Sequence, residues 1–99
     1  MAEIDLNLDE LKAERKQLAD FLASPEAYSD PEFTVKNKRF SELDTLIAKA
    51  SERDQLQKNI AEARSLATGN DELAELARLE ISESEARLEA IEEELFVLL

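Results

Sequence analysis

The chain has 99 residues, with 12 Lys and Arg against 24 Asp and Glu, a formal charge of −12, one Gly, two Pro, and neither Cys nor His. Without Cys or His the usual ligands of zinc, iron–sulfur and haem sites are missing and no Cys-His or Ser-His pair can form, while a single Gly excludes a glycine-rich phosphate loop. So acidic a chain offers no overall footprint for a nucleic-acid backbone or an anionic membrane, and it contains no run of 18 apolar residues.

Ala, Leu, Glu, Lys and Arg dominate, which predicts an all-α protein of one domain, residues 1–99. The first segment, Met1-Ala2-Glu3-Ile4-Asp5, is acidic with no apolar signal region, so a cytoplasmic protein is expected. A helix over about 5–23 follows from the register of Ile4, Leu8, Leu11, Leu18 and Leu22, which Arg15 interrupts. Ser24 to Pro31 reads as a connection: each proline disfavours helix at the residue before it, and Asp30 is placed to cap a new helix with Pro31 at its first position.

The second helix is expected over about 31–68. Phe33, Phe40, Leu43, Leu46, Ile47 and Ala50 give its first half a broad apolar face, whereas Leu56, Ile60, Ala63 and Ala67 give the second half a narrow one. Gly69 suits the left-handed residue that ends a helix, and Asn70 or Asp71 the cap of the next. The third helix, about 71–98, places Ala74, Ala77, Ile81, Ser84, Leu88, Ile91, Leu95 and Leu98 at alternating spacings of three and four, a coiled-coil seam. With a first helix of about 30 Å and a second of roughly 55 Å, the expectation is an elongated three-helix bundle. The third helix returns antiparallel, and residues from about 51 to 80 form a two-helix coiled-coil hairpin.

Charge is uneven along this plan. Residues 1–30 hold 3 cations and 8 anions, net −5; residues 31–70 hold 7 and 6, net +1; residues 71–99 hold 2 and 10, net −8. Complementarity between packed helices accounts for such a pattern. Lys36, Lys38 and Arg39, three cations in four residues, are also a candidate contact for phosphate or an acidic partner, although Lys36 and Lys38 point about 200° apart on a helix. No residues are nominated for catalysis, cofactor or metal: Glu92, Glu93 and Glu94 diverge around a helix, and Ser24, Ser29, Ser41 and Thr45 suit caps, turns or exposed faces.

The segment Leu22-Ala23-Ser24-Pro25-Glu26-Ala27-Tyr28-Ser29-Asp30-Pro31-Glu32, followed by Arg39-Phe40-Ser41-Glu42-Leu43, the Gly69-Asn70-Asp71 hairpin and Leu88 to Leu95, resembles the N-terminal domain of bacterial peptide chain release factors. The branch reading UAA and UAG carries Leu-x-x-Pro-Glu-x-x-Ser-Asp here, which Leu22 to Asp30 match. Its sister branch carries Phe-Trp-Asp in place of Ala27-Tyr28-Ser29, and this chain has no Trp. Ala27, where the family more often has Val, is the departure.

The resemblance implies a non-catalytic docking domain of a class-one termination factor, which triggers peptidyl-tRNA hydrolysis on the ribosome. Its partners would be the ribosomal stalk-base protein and rRNA, and the recycling release-factor GTPase, with Lys36, Lys38 and Arg39 as a salt-sensitive contact. The family's codon-reading Pro-x-Thr and its Gly-Gly-Gln loop are absent, since Pro25 and Pro31 are each followed by Glu and the chain has one Gly. Its end on Phe96-Val97-Leu98-Leu99 reads as a domain boundary, and an isolated domain of this kind is expected to be capable of self-association there.

Two other readings compete. A coiled-coil tRNA-binding arm of an aminoacyl-tRNA synthetase would be basic along the hairpin, yet residues 51–80 hold 4 cations and 7 anions, net −3. A generic coiled-coil scaffold satisfies the periodicity, and only the 22–43 segment speaks against it.

Overall fold

The computed structural model describes residues 6–99. Three α-helices account for nearly all of them: α1 (Leu8–Leu22), α2 (Phe33–Leu66) and α3 (Glu72–Leu98), with a 3-10 turn at Ala27–Ser29 and no strand among the described residues. The fold is all-α. It divides into two compact units, one comprising the described residues up to Ala50 and the other Ser51–Leu99.

In the first unit, α1 starts at an Asn7 cap rather than at residue 5: the Asn7 side chain accepts from the Glu10 N–H at 3.2 Å, and Asp9 and Glu10 complement the positive helix end. Asp5 and Ile4 lie outside the described residues. The helix stops as the Ala23 and Ser24 N–H groups donate to Ala19 and Phe21 carbonyls at 3.0 Å each. The stretch between the prolines, expected as a plain loop, closes on itself. Ala27, Ser29 and Asp30 N–H donate to the carbonyls of Ser24, Glu26 and Ala27, and the fully buried Ala27 methyl anchors the turn.

Helix α2 begins two residues later than Pro31. The Asp30 carboxylate accepts from the Glu32 N–H at 2.7 Å, a turn closing over Pro31, and Asp30 O accepts from the Phe33 N–H at 3.1 Å. Leu43 and Ala50 are fully buried and Leu46 nearly so, flanked by half-buried Phe40 and Ile47, which is the broad face expected from the spacing. No residue of α1 is fully buried; Leu8, Leu11, Leu18 and Leu22 are half-covered.

The second unit holds the end of α2 and the whole of α3 as an antiparallel hairpin. Arg64 pairs with Glu85 at 3.1 Å and Arg87 grips Glu52 at 2.9 and 3.1 Å, so long side chains tie the two helices together. Ile60, Ala63, Ala74 and Ala77 are buried in the seam, and Ile81, Ser84 and Leu88 are half-buried along it. Further along α3, Ile91 and Leu95 are fully buried, while Leu98 is exposed.

The hairpin corner corrects one expectation: Gly69 does not have a positive φ. The end of α2 is closed instead by the Ala67 N–H to Arg64 O at 3.3 Å and by the Arg78 guanidinium, which donates to Ala67 O at 2.6 Å and Gly69 O at 3.2 Å. A side chain from the next helix thus holds carbonyls of the turn itself, just past the last residue of α2. Asp71 caps α3, accepting from the Ala74 N–H at 2.9 Å.

Candidate functional site

The three cations singled out in the sequence all lie on the first turns of α2, and the structure gives them different surroundings. Arg39 lies flat against Glu14 of α1 in a bidentate pair, its Nε and Nη2 donating at 2.7 and 2.9 Å, with Glu42 at 3.9 Å. The hydrogen bond from Arg39 holds the Glu14 carboxyl below its ordinary range, and Glu14 in turn raises the guanidinium pKa. Lys36 is half-buried, with its ammonium 4.1 Å from the centre of the Phe21 ring and 3.2 Å from Glu32.

Lys38 is exposed, and its ammonium makes no ion pair among the described residues. The structure therefore does not gather Lys36, Lys38 and Arg39 into one cationic patch. Two of them join α1 to α2 within this unit, and the third is exposed to solvent.

Arg15, which breaks the apolar register of α1, belongs to the same group of contacts. Its guanidinium sits 4.8 Å from the centre of the Phe40 ring and pairs with Asp44, so it covers apolar surface with its stem and ring contact while the charge is met by a carboxylate. Tyr28 stacks on Phe33 with ring centres 4.9 Å apart and is otherwise 83% exposed, beside exposed Val35. An exposed lysine, a stacked tyrosine and a valine can bind a partner, but they hold no nucleophile–base pair or enclosed pocket for chemistry. Among the described residues no group of acidic side chains is placed to hold a metal ion, and no helix is long and apolar enough to cross a membrane.

The hairpin carries a feature the periodicity reading passed over. Leu73, Leu76 and Leu79 are 55, 63 and 57% exposed, and Leu66 near the end of α2 is half exposed. Leu76 and Leu79 with Glu72 and Glu75 line a shallow hollow of about 400 Å³. The signal was present as a second apolar repeat of three residues beside the seam of Ala74, Ala77 and Ile81.

Comparison with known proteins places these features in a family. The PCRF domain model matches residues 11–99. Peptide chain release factor 1 of Deinococcus deserti is 39% identical over 93 residues, covering 93% of this chain and 25% of that protein. The factor of the same name from a Nitratiruptor species is 38% identical over 84 residues, 84% of this chain and 23% of that protein, and that of Bacteroides fragilis is 33% identical over 95 residues, 93% and 26%. The chain thus spans about a quarter of the length of the curated relatives it matches. No solved structure gives a significant match. With a family model covering Leu11 through Leu99, this all-α chain belongs to the PCRF domain family.

Proposed function

We propose that this chain is the N-terminal helical domain of a class-one translation termination factor of the release factor 1 kind, reading UAA and UAG, and that it docks the factor on the ribosome without taking part in peptidyl-tRNA hydrolysis. The observation that carries the reading is the PCRF match over residues 11–99, supported by relatives named peptide chain release factor 1 that align to 84–93% of the chain. In such a factor the codon-reading and hydrolytic groups belong to other domains, and the working compartment is the cytoplasm. The partners are the protein and rRNA at the base of the ribosomal stalk and the recycling release-factor GTPase.

The acidic surface of α1 and α3 suits basic ribosomal protein, and the start of α2 is the part able to approach rRNA. Of Lys36, Lys38 and Arg39, Lys38 supplies the direct contact because it is exposed and its ammonium has no ion pair among the described residues, while Lys36 and Arg39 shape the surface around it. A full-length release factor 1 carrying this chain in place of its matching segment tests the idea. Lys38→Glu should weaken ribosome association and lower its dependence on salt by about one phosphate contact. Ribosome association with unchanged affinity and salt slope would remove Lys38 from the interface.

A further inference from the structure

Leu73, Leu76 and Leu79 follow one another at three-residue steps on α3, within a sector about 120° wide that is turned about 130° from the seam of Ala74, Ala77 and Ile81. They are left more than half exposed because the hairpin closes on the alanines. Three neighbouring exposed leucines on one helix face form an apolar surface that hairpin packing does not use.

The polar residues around that surface are of one sign. Glu72, Glu80 and Glu83 fall in the same sector of α3 and Glu75 borders it. The sector from Glu72 to Glu83 holds no cation, since Arg78 is turned away and is spent on the carbonyls of Ala67 and Gly69. A second copy of the chain would set these carboxylates against themselves, and a nucleic acid or anionic lipid would meet the same repulsion. What fits is the opposite pattern: an amphipathic helix whose leucine-type side chains are flanked by Lys or Arg. The apolar side chains of such a helix would lie against Leu76 and Leu79, with its cations beside Glu72 and Glu75.

The geometry points to this face of the hairpin as a docking site for a basic amphipathic helix of a protein partner. The inference rests on exposure and charge at α3 and stands whether or not the chain serves translation termination.

The test uses the 99-residue chain and a fluorescein-labelled Leu/Lys peptide of about 18 residues with leucines at helical spacing. A peptide of the same composition with its order scrambled out of helical register serves as the control. The helical peptide should bind more tightly than the scrambled one. L76Q/L79Q should weaken it at least about tenfold with helix content unchanged by circular dichroism. Replacing Glu72, Glu75, Glu80 and Glu83 by Gln should weaken it roughly three- to tenfold and flatten its salt dependence. Three results would overturn the assignment: equal binding by L76Q/L79Q, equal binding of the scrambled peptide, or a dimer of the parent chain in sedimentation that L76Q/L79Q dissolves.

Discussion

Up to Ala50, cations lie over aromatic rings and against carboxylates of a neighbouring helix: Arg15 on Phe40 and Asp44, Lys36 on Phe21, Arg39 on Glu14. From Ser51 onward, alanines form the heart of the contact, and arginines act at its margins, Arg78 on the turn carbonyls, Arg64 and Arg87 across the hairpin. A broad face needs large side chains in the middle and long amphipathic ones at its border, since α1 buries none of its residues completely. A narrow seam needs small residues so that two helices approach closely, and whatever large apolar residues lie outside it stay exposed. The exposed leucines of α3 are thus a by-product of an alanine seam, available for another use.

This contrast is open to breaking by substitution. The largest effect belongs to Leu43, fully buried in the first unit: Leu43→Ala should lower unfolding free energy by about 2–5 kcal/mol in urea titration through lost burial and a residual cavity. In the hairpin the sensitive direction is the opposite one. Ala74→Leu should cost about 1–3 kcal/mol by overpacking a position that has no free surface, whereas a loose seam would accept the added volume at no cost.

A smaller effect, about 0.5–1 kcal/mol, is expected for Arg39→Ala, because the Glu14 pair is bidentate yet partly solvated. Since Arg39 lowers the Glu14 pKa below its unfolded value, the pair's contribution is complete above the ordinary glutamate range and is lost as pH falls through the lowered folded-state pKa. Urea midpoints of parent and R39A should therefore differ at neutral pH and converge in acid. A difference that persists in strong acid would assign the effect to packing of the arginine stem. Least of all, Gly69→Ala should leave stability unchanged or raise it by about 0.4–1 kcal/mol. The φ there is not positive and an added methyl would meet only Asp71 and Ala74 side-chain atoms at 3.7 and 3.9 Å. Marked destabilisation would restore the left-handed role.

Much of this was legible in the sequence where one physical rule dominated. The three–four spacing of Ala74, Ala77, Ile81, Ser84 and Leu88 marked the α3 seam, and Asp71 could be read as its cap. Leu43, Leu46 and Ala50 were readable as core for the same reason. Legibility failed where two rules compete for one residue. Gly69 can end a helix in a left-handed conformation, but its φ is not positive here and the turn is held instead by Arg78, nine residues on in the chain. Asp30, by contrast, was readable as a cap: its carboxylate accepts from the Glu32 N–H two residues on, as an N-cap does, although the regular helix runs only from Phe33. Arg15 looked like a break in an apolar face, because spacing alone does not show that a guanidinium will lie on Phe40.

The candidate site was legible as composition and not as geometry. Three cations in four residues could be counted, yet which of them remained exposed depended on Glu14 and Phe21, residues of another helix. The leucine face of α3 is hard to see in the sequence because Leu73, Leu76 and Leu79 are interleaved with the seam residues Ala74, Ala77 and Ile81, and one stripe of spacing three and four already accounts for the helix.

The central claim is that a PCRF-family chain of this composition serves as the docking domain of a termination factor. Its most direct test is peptide release from ribosomes programmed with UAA, UAG or UGA by a release factor 1 in which this chain replaces the matching segment. Release at UAA and UAG at a rate near that of the parent factor, with none at UGA, is the predicted result. A folded chimera that binds no ribosome and releases no peptide would contradict the claim.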